Sequence, residues 1–503
     1  MKIILRSGVR SVRHVEREKM KISEVFEVSS DLNIKSIMFD SRKECKDSIF
    51  FAMKGKVNDG HRFIETAIAN GAVCIVHTDE IENKHDDVLY IRVKDATEAY
   101  VSFCNAYYDH PMDKMNVIGI TGTNGKTTIA WIIRSIIAHF DKCGYIGTMG
   151  YSYDETIRDS KMFLTTPKSD ELFRIGKEMV DEGCKALVLE ASSEGLVTHR
   201  LDQVNFSTAV FNNLSGEHFD VHGTMEDYFK AKCILFDMLK EDGKAIINMD
   251  DEYGRRLYDL CDHQKITYAI DADADYKAVD LRLYNDHSEF DLLYGGKSWH
   301  IDTNMLARFN IYNLLSVIAV LNENGYAIDT ILPYLENVEL TPGRCQMIKA
   351  GQDFNVVVDF AFTPNSFDKV FSFAESITAK NGKIIAVFGA AGDRDHKRRP
   401  GTSVIADERA DAVILSYDDP SSEDMLGILE EMATYFKRLK PQIILDRIKA
   451  IDTAVKMANK GDTILLLGKG SDRFFLDKEG RVPYISDEVA AKNAIAAKLS
   501  EKC

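Results

Sequence analysis

The stretch that most constrains how this chain can fold runs from Asn116 to Thr128 and reads Asn-Val-Ile-Gly-Ile-Thr-Gly-Thr-Asn-Gly-Lys-Thr-Thr. Val117 to Ile120 is a short apolar run of buried-strand type, and apolar residues recur at helical spacing from Ile129 onward. A glycine-rich turn separates the two, so the sequence predicts a strand, a turn and a helix in immediate succession. Such a turn lets backbone amides and a helix N-terminus hold a chain of phosphates. A nucleoside-triphosphate site in a parallel α/β sheet is therefore expected.

The residues of the turn have separate tasks in such a site. Gly122 and Gly125 allow the backbone to approach the phosphates, Lys126 would pair with the outer phosphates, and the Thr127 hydroxyl would reach a magnesium ion. The usual pattern has glycine at the position of Ile120, and a glycine-rich turn without a nucleotide is the alternative. The lysine and two threonines in the required order favour a nucleoside triphosphate. The residues of the turn predicted to bind it are Gly122, Thr123, Asn124, Gly125, Lys126, Thr127 and Thr128.

Length and composition limit the remaining possibilities. A chain of 503 residues is too long for one core and predicts about three domains. Its formal net charge of -16 argues against nucleic acid as the main partner. The nine cysteines are scattered without a Cys-x-x-Cys pair, which predicts reduced thiols with neither disulfides nor a zinc site. With no apolar run of about eighteen residues and no secretory signal pattern, we expect a cytoplasmic enzyme without membrane insertion.

The turn sequence Thr-Gly-Thr-Asn-Gly-Lys-Thr-Thr resembles the variant phosphate loop of the Mur ligase and folylpolyglutamate synthase superfamily, whose members use ATP to join a carboxylate to an amine. Further pieces keep that family's order from about residue 34 to the end of the chain, beginning with Asp40-Ser41-Arg42. The resemblance implies an α/β fold of three domains: a small UDP-binding domain over residues 1–113, a central ATP-binding parallel-sheet domain over 114–340, and a Rossmann-like amino-acid-binding domain over 341–503. Turn-forming residues at His110–Asp113 and Leu340–Cys345 favour these boundaries.

The metal site is predicted partly from the residues and partly from the resemblance. An all-apolar run from Ala186 ends in Glu190, which delivers a carboxylate to the carboxyl end of a buried strand, where ligands bind in open α/β sheets. The resemblance implies His218 as a second magnesium ligand and Lys232 as a carbamylated lysine. A surface carboxylate and a solvated helix lysine are the alternatives. The predicted catalytic residues are Lys126, Glu190, His218 and Lys232. Thr127 completes the metal ligands, and the cofactors are ATP, two magnesium ions and CO2 as the lysine carbamate.

The resemblance also implies the residues that contact the substrates. Those for a UDP-muramyl peptide are Ser41, Thr165, Thr166, Ser192, Thr198 and Arg200. Those for ATP outside the phosphate loop are Asn310, Asn313, Arg344 and Asp359. Those for an incoming amino acid are Arg399, Asp418, Asp419, Ser421, Gly468 and Asp472. From the residues alone, a serine after a strand is more often a turn residue and Thr-Thr-Pro a helix lead-in. The chain departs from the family pattern at Gly216, Gln346 and Phe362.

Within the family, the resemblance is to the ligases that add the third peptide residue to UDP-N-acetylmuramoyl-L-alanyl-D-glutamate in peptidoglycan precursor synthesis. It implies an acyl phosphate on the D-glutamate side chain and a monomeric enzyme whose partners are that dipeptide and a free amino acid. Diaminopimelate enzymes carry an arginine where this chain has Ser421, and Asp418 and Asp419 would make the pocket acidic. We therefore expect L-lysine, then ornithine, with meso-diaminopimelate least favoured.

Two other functions remain open at this point. A folylpolyglutamate synthase-like ligase would share the ATP site but lack the UDP domain. A non-catalytic regulatory protein derived from a ligase is suggested by the three departures from the family pattern.

Overall fold

The computed structural model describes residues 20–38, 40–55, 58–160, 164–216, 222–284, 286–393, 396 and 398–501. It has the expected α/β architecture, with three parallel-rich sheets that follow one another along the chain. In the first domain, four parallel strands lie in the order β3-β4-β5-β6 beside a short antiparallel pair, β1 and β2. The elements are β1 Met20–Lys21, β2 Asn33–Ile34, β3 Ser36–Met38, β4 Ser48–Phe51, α1 Ile64–Ala69, β5 Ala72–His77, β6 Leu89–Arg92 and α2 Ala96–Tyr107.

The central domain is built on a ten-stranded sheet of order β16-β15-β14-β13-β12-β11-β7-β10-β8-β9 among the described residues. The seven strands from β14 through β7 to β8 in this order are parallel. The antiparallel strands β15 and β16 extend one edge of the sheet, and the antiparallel strand β9 extends the other. Its elements are β7 Asn116–Thr121, α3 Lys126–Ile137, β8 Cys143–Gly147, β9 Gly150–Ser152, α4 Ser169–Asp181, β10 Ala186–Glu190, α5 Ser193–Val197, β11 Phe206–Phe211, α6 Met225–Asp237, β12 Leu239–Asn248, α7 Glu252–Leu260, β13 Gln264–Ala269, β14 Tyr276–Leu283, β15 Ser288–Tyr294, β16 Lys297–Thr303, α8 Arg308–Glu323 and α9 Ile328–Glu336.

The third domain has a six-stranded sheet of order β17-β18-β22-β19-β20-β21 and a separate hairpin of β23 and β24. The apolar runs at 384–388, 412–416 and 463–467 form three of these strands, and the run at 443–445 overlaps a fourth at 442–444. The elements are β17 Gln346–Met347, β18 Asn355–Asp359, α10 Pro364–Ile377, β19 Ile384–Phe388, α11 Arg398–Arg409, β20 Ala412–Ser416, α12 Met425–Ala433, β21 Gln442–Ile444, α13 Arg447–Met457, β22 Thr463–Leu467, β23 Phe474–Asp477, β24 Gly480–Pro483 and α14 Asp487–Ser500.

Strand β7 organises the central core because its side chains alternate between the two faces of the sheet. Val117 belongs to the core that continues into the first domain, whereas Ile118 and Ile120 belong to the core under α3 and α8. Strand β7 lies between β10 and β11, so the loop after β7 is flanked by the carboxyl ends of both neighbours. The fold thereby gathers three strand ends at one edge.

Two other expectations concern the chain as a whole. Within the part of the chain that the structure describes, no helix combines the length and the apolarity that a membrane span requires. The cysteines described, from Cys45 to Cys345, are all free thiols, as the spacing predicts.

Candidate functional site

The phosphate loop has the backbone form that its glycines predict. Gly125 precedes α3 with φ +90°, and a Cβ there would lie 2.4 Å from Asn212 Nδ2 and from Asn313 Oδ1. Glycine is therefore required by both backbone conformation and space. The Lys126 ammonium donates to the carbonyls of Gly122 at 2.7 Å and Thr123 at 3.2 Å, so its charge lies over the loop. The loop thus presents a helix N-terminus and an ammonium together, which suits a phosphate chain.

Glu190 is completely buried at the end of β10, and its two carboxylate oxygens have different partners. Oε1 accepts hydrogen bonds from the Tyr145 hydroxyl at 2.6 Å and the Thr148 amide at 3.0 Å. Oε2 accepts from the Thr127 hydroxyl at 2.9 Å and the Thr148 hydroxyl at 3.0 Å. Burial, followed by the nearby Glu190 carboxylate, raises the pKa of Tyr145, so this phenol stays a donor. Oε1 is therefore fixed by buried donors, whereas Oε2 faces hydroxyl groups that can rotate away.

These oxygens match the chemistry of a magnesium site, because magnesium prefers carboxylate and hydroxyl oxygens. Thr127 and Glu190 are adjacent, as predicted, and Lys126 lines the same cavity. His218, the other predicted ligand, lies outside the described residues.

Lys232 lies on α6 with 1% of its surface exposed and its ammonium 4.4 Å from the centre of the Tyr228 ring. The Tyr228 hydroxyl is 3.3 Å from the Thr123 hydroxyl, so one side chain connects Lys232 to the phosphate loop. A lysine buried this deeply is not a solvated helix lysine. Its position beside the loop fits the carbamate role that the resemblance implies.

Four of the residues predicted for the muramyl peptide form one network beside Glu190. The Thr166 hydroxyl donates to the Glu190 carbonyl at 2.8 Å and accepts from the Ser192 amide at 3.0 Å, while Thr165 and Thr148 share a hydroxyl contact of 3.2 Å. Arg200 donates to the Thr166 carbonyl at 3.1 Å.

The other two residues predicted for this substrate make no described hydrogen bond directly to these four, although Thr198 and Arg200 share Glu194 as an acceptor. The Thr198 hydroxyl donates to the carbonyl of Glu194, and Ser41 lies in the first domain, where its carbonyl accepts from Asn70. Only part of the predicted set therefore lies at one place.

The nucleotide end of the site lies between the central and third domains. A cavity of about 250 Å³ is lined by Lys126, Glu190, Asn310, Asn313, Arg344 and Asp359, among others. Asp359 accepts from the backbone amides of Cys345 at 2.7 Å and Ala361 at 2.6 Å, and its burial raises the pKa of its carboxyl. Phe362 also lines the cavity with 47% of its surface exposed. The chain therefore offers an aromatic face where the family pattern has a histidine.

Arg399, predicted to hold the incoming carboxylate, already binds two protein carboxylates. Its Nη2 donates to both carboxylate oxygens of Glu423 at 2.7 and 2.8 Å, and its Nη1 donates to Glu431 at 2.6 Å, with 3% of the residue exposed. The buried Nε of Arg399 has no partner among the described residues, so a substrate carboxylate would have to reach Nε or replace one of the two glutamates. The observed contacts tie α11 to the segment that follows Ser421 and to α12.

The other residues predicted for the amino acid converge between β20 and β22. The Asp419 carboxylate accepts from Lys469 and from the Leu476 amide, both at 2.8 Å, and the Ser421 amide donates to the Leu476 carbonyl at 3.0 Å. Asp472 lies 3.3 Å from the same lysine ammonium. Asp418 Oδ2 lies 2.5 Å from the position a Cβ would take at Gly468, whose φ is +100°. Glycine is thus needed beside the Asp418 carboxylate.

Several residues that the sequence did not single out contribute to these sites: Tyr145, Thr148, Asn212, Tyr228 and Lys469. Thr148 had a usable signal, since it follows strand β8, which is parallel to β10 and ends at the same edge. Tyr145 and Lys469 gave no such signal, because the role of each depends on a partner distant in sequence, Glu190 and Asp419 respectively.

Comparisons with known proteins agree with this geometry. Three family models match successive parts of the chain: "Mur ligase family, catalytic domain" over residues 33–108, "Mur ligase middle domain" over 120–321, and "Mur ligase, glutamate ligase domain" over 343–470.

Individual relatives cover nearly the whole chain. UDP-N-acetylmuramoyl-L-alanyl-D-glutamate--2,6-diaminopimelate ligase of Clostridium tetani is 36% identical over 91% of this chain and 94% of its own length. UDP-N-acetylmuramyl-tripeptide synthetase of a Roseiflexus species is 34% identical over 92% of this chain and 94% of its own. A solved UDP-N-acetylmuramoyl-L-alanyl-D-glutamate--2,6-diaminopimelate ligase superposes with a TM-score of 0.67 at 27% identity, covering 96% of this chain and 99% of that one.

Proposed function

The chain belongs to the Mur ligase family, and from this premise we propose that it joins L-lysine to the D-glutamate side-chain carboxylate of UDP-N-acetylmuramoyl-L-alanyl-D-glutamate. It is an ATP-dependent acid–amino-acid ligase, and its relatives are tripeptide synthetases. The observation that carries the proposal is the set of carboxylates at Asp418, Asp419 and Asp472 beside an uncharged Ser421. Such a pocket suits an amino acid with a side-chain ammonium and without a distal carboxylate.

The order of events follows from the chemistry of the site. ATP would phosphorylate the D-glutamate carboxylate, the α-amine of the amino acid would attack the acyl phosphate, and inorganic phosphate would leave. Lys126 and the N-terminus of α3 would hold the phosphates, and Thr166, Ser192 and Arg200 would hold the peptide near Glu190. Magnesium, held by Thr127, Glu190 and His218, would neutralise charge on the transferred phosphoryl group.

Three further parts of the proposal concern the Lys232 carbamate, the domain boundaries, and the oligomeric state and cellular location. Lys232 as a carbamate would convert a buried ammonium into an oxygen ligand for a second magnesium ion, and a requirement for added bicarbonate after CO2 removal would test it. We also propose domain boundaries near 113/114 and 340/341. A monomer that works in the cytoplasm is the third part.

Meso-diaminopimelate is the second candidate amino acid, because the Clostridium tetani relative is named for it. The discriminating experiment measures phosphate release with ATP and the UDP-dipeptide and compares L-lysine, L-ornithine and meso-diaminopimelate. We expect L-lysine to give the highest kcat/KM. Preference for diaminopimelate would refute the pocket argument, and phosphate release with folate substrates alone would favour a folylpolyglutamate synthase. Absence of release with any substrate would favour a non-catalytic protein.

A matched variant sharpens this test. Ser421→Arg adds a guanidinium to the segment Asp418–Ser421, so we expect the ratio of kcat/KM for diaminopimelate to that for lysine to rise about tenfold or more. An unchanged ratio would show that residue 421 does not contact the second carboxylate of diaminopimelate.

A further inference from the structure

The proposed amino-acid pocket is formed by Asp418, Asp419, Ser421, Gly468 and Asp472. Lys469 is the most deeply buried charged residue beside it, and no sequence motif gives this lysine a function. It follows β22, and its side chain is 0% exposed. The ammonium lies 2.8 Å from Asp419 Oδ1, 3.3 Å from Asp472 Oδ2, and 5.3 Å from the ring centres of Phe474 and Phe475. Carboxylates and aromatic faces surround it, so burial does not neutralise it. Asp418, Asp419 and Asp472 raise the pKa of Lys469 against the lowering effect of burial.

The contacts of Asp419 and Asp418 differ although the two residues are adjacent. Asp419 is bound to Lys469 and to the backbone of β23, so it holds the hairpin against the segment at 418–421. Asp418 is 6% exposed, and within the described residues no hydrogen bond reaches its carboxylate. It lies against Gly468, where a side chain would not fit. One carboxylate is thus committed to the protein, and the other is buried without a described hydrogen-bond partner.

The charges around Asp418 come from several elements. Asp419 lies beside it, Lys469 and Asp472 lie on the loop after β22, and Arg447 of α13 is paired with Asp487 of α14 at 2.7 Å. Arg447 and Asp487 cancel, and Arg481 of β24 lies near Asp419 and Asp472. The three carboxylates, Lys469 and Arg481 therefore leave one uncompensated negative charge. A diamino acid carries two ammonium groups, whereas a second carboxylate would face Asp418 unfavourably.

We propose that Lys469 is a positioning residue that binds Asp419, shares Asp472, and thereby leaves Asp418 as the carboxylate for the side-chain ammonium of the incoming amino acid. This assignment rests on the proposed function and specifies which aspartate selects the substrate. Lys469 itself contacts no substrate. It fixes the carboxylates and keeps Asp418 ionised, since the nearby cation opposes the effects of burial and Asp419 on the pKa of Asp418, which is raised to about 6.

The test uses the full-length protein with the variants Lys469→Met and Lys469→Arg, and Lys492→Met on the exposed face of α14 as the matched control. The rate of phosphate release is measured while the concentration of each substrate is varied in turn. For K469M we expect the KM for lysine to rise about tenfold or more, the KM values for ATP and the UDP-dipeptide to stay within about twofold, and K469R to recover part of the loss.

A pH profile separates this role from a structural one. Loss of the ammonium raises the pKa of Asp418, so the acid limb of kcat/KM for lysine should move to higher pH in K469M. An unchanged lysine KM with an unchanged acid limb would refute the proposal, as would an equal rise in all three KM values.

Asp419→Asn serves if K469M does not fold. It removes a negative neighbour of Asp418 and releases Lys469, so the acid limb should move to lower pH while the lysine KM rises. A D419N enzyme with a wild-type acid limb would overturn the assignment. A wild-type protein that turns over no diamino acid refutes the proposed function, whereas lysine turnover that is insensitive to K469M refutes the role of Lys469 alone.

Discussion

The site around the phosphate loop and the amino-acid pocket stabilise buried charges in different ways. Around Glu190, neutral donors surround a single carboxylate, and they come from β8, the loop after it and the first turn of α3. Around Lys469, two carboxylates share one ammonium, one from the segment after β20 and one from the loop after β22. The first arrangement depends on backbone geometry and the second on charge balance. Substitutions should therefore affect catalysis most in the first region and substrate selection and pH dependence most in the second.

The largest effect is expected at Lys126. In Lys126→Met the loop loses the cation that lies over Gly122 and Thr123, so the charge on the transferred phosphoryl group is no longer neutralised. We expect phosphate release to fall about 10³-fold or more, roughly 4 kcal/mol of transition-state stabilisation. Lys142→Met, an exposed lysine of the same domain, is the control. Wild-type thermal stability should be kept, and a K126M enzyme with more than a tenth of normal activity would contradict the assignment.

A smaller effect in the same region is expected at Tyr145. Tyr145→Phe removes one of the two donors that fix Glu190 Oε1, so the carboxylate can turn and Oε2 is less well placed for a metal. Loss of such a supporting contact typically weakens metal binding by about tenfold or more. The magnesium concentration for half-maximal rate should rise by that factor while the lysine KM is unchanged. Tyr258→Phe provides the control, and an unaltered magnesium dependence would show that Thr148 alone orients Glu190.

The same contrast explains what the sequence could predict. Strand β7, the loop after it and Glu190 at the end of β10 were predicted because a contiguous motif and an apolar run report their geometry directly. In the third domain, the apolar runs at 384–388, 412–416 and 463–467 form strands for the same reason. The ion pairs of Arg399 with Glu423 and Glu431 were not predicted, since a basic residue near a turn gives no sign of its partners. The division of tasks between Asp418 and Asp419 depends on Lys469, fifty residues away, and no local pattern encodes it.

The smallest effect, and the sharpest test of charge balance in the pocket, is expected from Asp418→Asn. Burial and the neighbouring Asp419 raise the pKa of Asp418 from 3.8 to about 6, so in the native state its ionised form is unfavourable. A raised carboxyl pKa stabilises the folded protein at low pH and loses that contribution as the pH rises through the folded pKa. Asn avoids the charge. D418N should therefore be more stable than wild type above pH 7, and this advantage should vanish near pH 4.

The functional readout of D418N should move in the opposite direction. Because Asp418 is the carboxylate proposed to bind the side-chain ammonium, the lysine KM should rise about tenfold or more even as the melting temperature increases at pH 8. Glu430→Gln is the control, because Glu430 is an exposed residue of α12 whose negative charge is in solvent. It should change neither the melting temperature nor the lysine KM. Melting temperatures and lysine KM values at pH 5 and pH 8 decide the matter. If D418N is destabilised at both pH values, Asp418 supports the fold, and the contrast between a geometric site and a charge-balanced one fails at this residue.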